Sequence, residues 1–165
     1  MLIEMKVYGL TMDPYTNAPI VILKDSDNNN TLPIWIGILE ASAIATELED
    51  IHPTRPMTHD LLKNILGKVC VNVSRIVVTD LKDNVYYASI YMSRGKEEHA
   101  IDARPSDAIA VALRTDSPIF VDEQVFDKSK RMFFEENKSV GTNESKKWEE
   151  ILETLSPEDF GKYKM

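Results

Sequence analysis

Short polar breaks between β-branched runs constrain this chain more than any other feature of its sequence. Lys82-Asp83-Asn84 separates the run Val69–Thr79 from Val85–Met92, and Arg94-Gly95-Lys96 turns into a further strand through Ala100–Ala103. Breaks this short suit hairpins, because parallel neighbours need a crossover of about a dozen residues or more. The N-terminal third follows the same rule. Residues 2–10 and 18–24 read as strands joined by the turn chemistry of Asp13, Pro14 and Asn17, and the polar stretch Asp25–Asn30 leads to a third strand, Thr31–Ile36.

At Gly37 the period changes. Ile38, Ala41, Ala45 and Leu48 recur at helical spacing. His52-Pro53-Thr54-Arg55-Pro56 cannot be regular helix, since each proline pushes its predecessor toward extended geometry. A second helix starts near Thr58 as N-cap, carries Leu61, Leu62, Ile65 and Leu66, and takes Gly67 as its C-cap. A third runs from Pro105 or Ser106 to Arg114, ahead of a short strand, Ile119–Val121. This order predicts an α+β fold rather than repeated βαβ units. The expected architecture is an antiparallel or mixed sheet of about six to seven strands, two central helices, a third helix and a helical C-terminal tail. Residues 1–127 read as one domain and 128–165 as a linker plus a short helical tail. In that tail Ser145 is the expected N-cap, Trp148, Ile151, Leu152 and Leu155 follow helical spacing, and Ser156-Pro157 marks a further helix start.

Composition narrows the function. The formal net charge is −8, and both halves of the chain are acidic. A stable stoichiometric nucleic-acid binder is normally basic, because phosphates are bound by counterion release to Lys and Arg. Any nucleic-acid contact here is therefore expected to be local, metal-bridged or transient. Cys70 is the lone cysteine, which excludes an intramolecular disulfide and a cysteine-based metal site. Its apolar neighbours Val69, Val71 and Val73 predict a buried thiol. Met1–Leu10 alternates like a strand rather than a signal peptide, and no apolar run approaches the roughly 20 residues of a membrane span. The expectation is a cytoplasmic protein with no membrane contact.

Polar groups concentrate in segments that each begin a helix. In Leu32-Pro33-Ile34-Trp35-Ile36-Gly37-Ile38-Leu39-Glu40-Ala41, Glu40 sits in a first turn, where it either complements the helix dipole or ligates a metal. In Arg55-Pro56-Met57-Thr58-His59-Asp60-Leu61-Leu62, a helix N-terminus disfavours a charged His59. A neutral His59 beside Asp60 can ligate metal or move protons, and Arg55 can face a phosphate. In Ile101-Asp102-Ala103-Arg104-Pro105-Ser106-Asp107-Ala108, Asp102 and Arg104 share a strand face and Asp107 opens the next helix. Arg104, Ser106 and the free backbone N–H groups there make an anion site, while the rival reading is an Asp102–Arg104 ion pair with a Ser106 or Asp107 cap. Clustered carboxylates beside positive charge are what a hydrolytic nuclease needs.

These segments, with Ser117-Pro118-Ile119-Phe120-Val121, resemble the bifunctional nuclease domain family from about Met1 to Phe126. The resemblance implies an α+β fold, self-association, and cleavage of both RNA and DNA. The residue roles are assigned from the chemistry above. Asp60, Asp102, Asp107 and Glu40 are expected to bind Mg²⁺ or Mn²⁺. His59, Asp60, Asp102 and Asp107 are the expected catalytic groups, and Arg55, Arg104 and Ser106 the expected phosphate ligands. A non-catalytic module that uses the same cluster for an anionic ligand or partner is the alternative. A shared site requires residues 55–60 and 102–107 to lie side by side. A homodimer or larger assembly is expected from aromatic residues on both sheet faces, Tyr86 opposite Tyr87 and Tyr91, with Phe133 and Phe134 beyond.

Overall fold

The computed structural model describes residues 1–27 and 29–139, with side chains to 132. In chain order the elements are β1 (Leu2–Met12), β2 (Pro19–Lys24), β3 (Thr31–Trp35), α1 (Ile38–Leu48), α2 (Thr58–Lys68), β4 (Asn72–Lys82), β5 (Val85–Arg94), β6 (Glu97–Ala103), α3 (Pro105–Thr115), β7 (Ile119–Asp122) and α4 (Glu123–Ser139). The strands form a single mixed sheet of seven in the order β3-β2-β1-β7-β4-β5-β6. Adjacent strands are antiparallel except β4 and β7, which run parallel. The fold class is α+β, as the hairpin spacing predicts.

The turns account for the hairpins. Asp83 and Asn84, at φ 48° and 61°, both take the left-handed region between β4 and β5. That geometry matches the twist of the flanking strands, and Asn and Asp tolerate it better than most residues. Gly95, at φ 64°, does the same between β5 and β6.

α3 is the most deeply placed helix. Pro105, Ser106, Ala108–Ala112 and Arg114 are buried. The small side chains Ala108, Ala110 and Ala112 let this helix approach its neighbours closely. Its N-terminus is set by Arg104 in extended geometry, followed by Pro105 at the first helical position. α1 and α2 both pack on α3, whereas α4 lies on β4 and β7 with Val125 and Phe126 buried. Met5, Val21, Leu23, Ile44, Ile76, Val78, Ile109, Val111 and Val121 belong to the common core.

Several local expectations are corrected. Gly67 lies inside α2, and β4 begins at Asn72 instead of Val69. The helix closes at Cys70, which takes φ 56° while its N–H donates to Gly67 O and the Val71 N–H donates to Leu66 O. This 6→1 and 5→2 pair is a Schellman ending with cysteine where glycine is usual. Cys70 is consequently exposed rather than buried. The N-cap of α2 is Met57 rather than Thr58. Tyr86 and Tyr91 are half-buried, and Tyr87 is the exposed tyrosine of β5. α4 begins ahead of the expected tail and runs across position 127. The caps and apolar positions from Ser145 to Pro157 lie outside the described residues, as do the side chains of Phe133 and Phe134. No helix among the described residues is long and apolar enough to cross a membrane.

Candidate active site

Helix starts converge at the N-terminus of α3. Arg104, the residue before it, donates from Nε to Asp107 Oδ2 at 2.8 Å and from a terminal nitrogen to Asp107 Oδ1 at 3.2 Å. Its other terminal nitrogen donates to Glu40 Oε1 at 2.7 Å, in the first turn of α1. Nε2 of His59, in the first turn of α2, lies 3.1 Å from Asp107 Oδ1. Asp107 thus joins α2 to α3, and Arg104 joins α3 to α1. The His59 and Asp107 side chains are 16% and 33% exposed, low enough to limit screening of their contact by water and open enough to meet a substrate.

Electrostatics favour the ionised pair. Burial pushes the Asp107 carboxyl up, but hydrogen bonds from Arg104 and His59 and the Arg104 charge outweigh it and hold Asp107 below the usual carboxylate value. Asp107, and then Glu40, keep the Arg104 guanidinium charged well beyond its ordinary range. An ionised Asp107 accepts from Nε2–H, which fixes the His59 tautomer and leaves Nδ1 as the proton-accepting nitrogen.

Asp60 plays a different part. Its Oδ1 accepts from Arg114 Nε at 2.6 Å and its Oδ2 accepts the Met57 N–H at 2.9 Å. Burial raises its pKa, yet these bonds bring it below the usual value. The Arg114 side chain is 2% exposed and also donates to the carbonyls of Ala43 and Ala110. Arg114 therefore clamps α1 and α2 onto α3, and Asp60 fixes the turn that presents His59. Sequence reading missed Arg114. Its signal was an arginine closing a helix that is otherwise almost entirely apolar, Ala108–Leu113.

The expected side-by-side placement of 55–60 and 102–107 is met through His59 and Asp107. The remaining expected residues are more dispersed. Asp102 is exposed on β6 and makes no hydrogen bond or ion pair among the described residues, so the Asp102–Arg104 pair does not form. Arg55 is exposed four residues before His59 and likewise unpaired among the described residues. Ser106 is 7% exposed. Among the described residues no group of three or more His, Cys, Asp or Glu is arranged to hold a metal ion. The donor chemistry explains this. Arg104 occupies the bridging position between Glu40 and Asp107, and Asp60 is committed to Arg114 and Met57. As arranged, these donors do not fit Mg²⁺ or Mn²⁺.

The bifunctional nuclease domain family is matched over residues 21–133, which spans α1, α2, α3 and every residue of the cluster. An uncharacterized protein of Mycobacterium tuberculosis (strain ATCC 25618 / H37Rv) is 33% identical, covering 95% of this chain and 97% of its own length. Bifunctional nuclease 1 of Oryza sativa subsp. japonica is 28% identical over 64% of this chain. Bifunctional nuclease 1 of Arabidopsis thaliana is 27% identical over 70%. The chain corresponds to 33% and 37% of the lengths of these plant relatives. With a family match running through the whole of the described site, this chain belongs to the bifunctional nuclease domain family.

Proposed function

We propose that the chain is a low-specificity nuclease that hydrolyses RNA and DNA phosphodiester bonds at the His59–Asp107–Arg104 cluster. The observation that carries this reading is the carboxylate–imidazole contact of 3.1 Å, with a guanidinium on the same carboxylate. Asp107 orients His59, and Nδ1 of His59 takes a proton from water as its oxygen attacks phosphorus. The phosphorus–oxygen bond to the leaving group breaks, and solvent protonates the departing alkoxide. Arg104, with Arg55 at the approach, neutralises the non-bridging oxygens. A water nucleophile does not require a 2′-hydroxyl, which suits both nucleic acids. Because Arg104 already supplies positive charge between the carboxylates, no step passes through Mg²⁺ or Mn²⁺. The acidic chain makes the encounter local and transient.

Copies of the chain associate through α2, whose Leu61, Leu62 and Ile65, together with Val69 beyond its end, remain roughly half exposed. The free exposed thiol of Cys70 suits a reducing cytoplasm.

The test is cleavage of a labelled oligonucleotide in EDTA and after adding Mg²⁺ or Mn²⁺. His59→Gln is expected to lose about 10²–10⁴-fold in rate, the range for removing a general base. Equal rates for wild type and His59→Gln would instead favour the non-catalytic module, with the cluster holding an anionic ligand.

A further inference from the structure

Beside the cluster a cavity of about 250 Å³ opens between the end of β3, the β4–β5 turn and the start of α3. Trp35, Glu40, Asn84, Tyr86, Arg104 and Ser106 line it. We infer that this cavity is a nucleobase subsite, receiving the base of a nucleotide whose phosphate meets Arg104. The inference rests on the phosphodiesterase reading and adds to it the group that positions the strand.

Volume, walls and polar groups support the assignment. The cavity is smaller than the roughly 300–1,000 Å³ of pockets for drug-sized ligands, which suits one flat ring system and excludes a base pair. Trp35 and Tyr86 bring aromatic rings to the wall, and every base has a π-face to stack on them. Both rings are held in place. The Trp35 indole N–H donates to the buried Asp13 Oδ2 at 2.9 Å, and the Tyr86 hydroxyl sits 3.1 Å from Ser129 Oγ. Fixed rings lose little entropy on binding. Ser106 is 7% exposed, lines the cavity, and makes no side-chain hydrogen bond among the described residues. A hydroxyl so placed is matched by a polar base edge. Asn84 adds an amide donor and acceptor from the turn, the pair of groups that reads base edges. Arg104 lies on both the cavity wall and the Asp107 carboxylate, so a base in the cavity places its own phosphate near His59.

The test uses the full chain carrying Trp148→Phe, which leaves Trp35 as the fluorescent indole. It is titrated with a five-nucleotide single-stranded DNA and with matched strands carrying an abasic site at each position in turn. The intact strand is expected to quench Trp35 fluorescence to saturation. An abasic site at one position is expected to weaken binding by about tenfold or more, the loss of one stacked base. Asn84→Gly keeps the left-handed turn and removes the amide, so it folds normally and is expected to weaken the intact strand by about fivefold. Equal affinity for intact and abasic strands, or quenching absent while cleavage persists, overturns the subsite. Loss of binding and cleavage together overturns the phosphodiesterase reading with it.

Discussion

At the scale of single residues, the site depends on side chains that already occupy each other's hydrogen-bonding groups. Gly37 shows how little space is left. A Cβ there would come 2.2 Å from Glu40 Oε2, while the backbone of Gly37, at φ −76°, would accept alanine. Gly37→Ala is therefore expected to fold with stability within about 0.5 kcal/mol of wild type, because the carboxylate can swing aside. It should also break the Glu40–Arg104 bridge and lower kcat/KM, a split that parallel denaturation and cleavage assays would reveal. Asp60 gives a pH prediction with a definite sign. Its folded pKa is lowered, so it contributes stability above its unfolded value of about 3.9, and that contribution is lost as pH falls through the folded value. Asp60→Asn is expected to cost roughly 3 kcal/mol at pH 7, as it leaves the buried Arg114 without its closest partner. Urea titrations should show the mutant and wild-type curves converging below about pH 3. A constant gap down to pH 2 would contradict the Asp60–Arg114 assignment. The sequence displayed His59, Asp107, Arg104 and Glu40 as helix-start residues because helix N-termini have local signatures. It did not display Arg114, whose burial arises only when α1 and α2 close over α3.

At the scale of elements, hairpin spacing and proline punctuation located the strands and helix starts, since these are local backbone effects. Helix ends were less legible. α1, α2 and α3 end with Asp50, Cys70 and Asp116 in the left-handed region, where the usual glycine signal is missing. Cys70→Gly removes the Cβ penalty at a position that already has φ 56°, and is expected to stabilise the fold by about 0.5–1 kcal/mol in urea denaturation. No gain would mean that the thiol makes a compensating contact. The orientation of α2 was also hidden. Periodicity marks Leu61, Leu62, Ile65 and Leu66 as a core face, yet α2 has no buried residue. His59 and Asp60 turn toward α3 because their partners Asp107 and Arg114 are there, and this sends Leu61 and Ile65 outward. Tertiary ion pairs outweigh the periodic pattern here.

At the scale of the whole molecule, an outward apolar helix on an acidic chain needs cover. Light scattering is expected to give at least twice the chain mass at micromolar concentration. Leu61→Glu with Ile65→Lys should reduce it to a single chain mass, whereas a monomeric wild type would contradict association through α2. The net charge of −8 also bears on turnover, since an acidic surface releases polyanionic products quickly and makes cleavage sensitive to salt. The central claim is that hydrolysis depends on the contact between His59 and Asp107 across α2 and α3. The most direct measurement compares the single-turnover cleavage rates of wild type, Asp107→Asn and Asp102→Asn on one labelled strand. Asp107→Asn is expected to fall about 100-fold or more, as an orienting carboxylate is lost, while Asp102→Asn stays within about threefold. An Asp107→Asn protein that cleaves as fast as wild type, or an Asp102→Asn protein that loses activity to the same degree, would contradict the account.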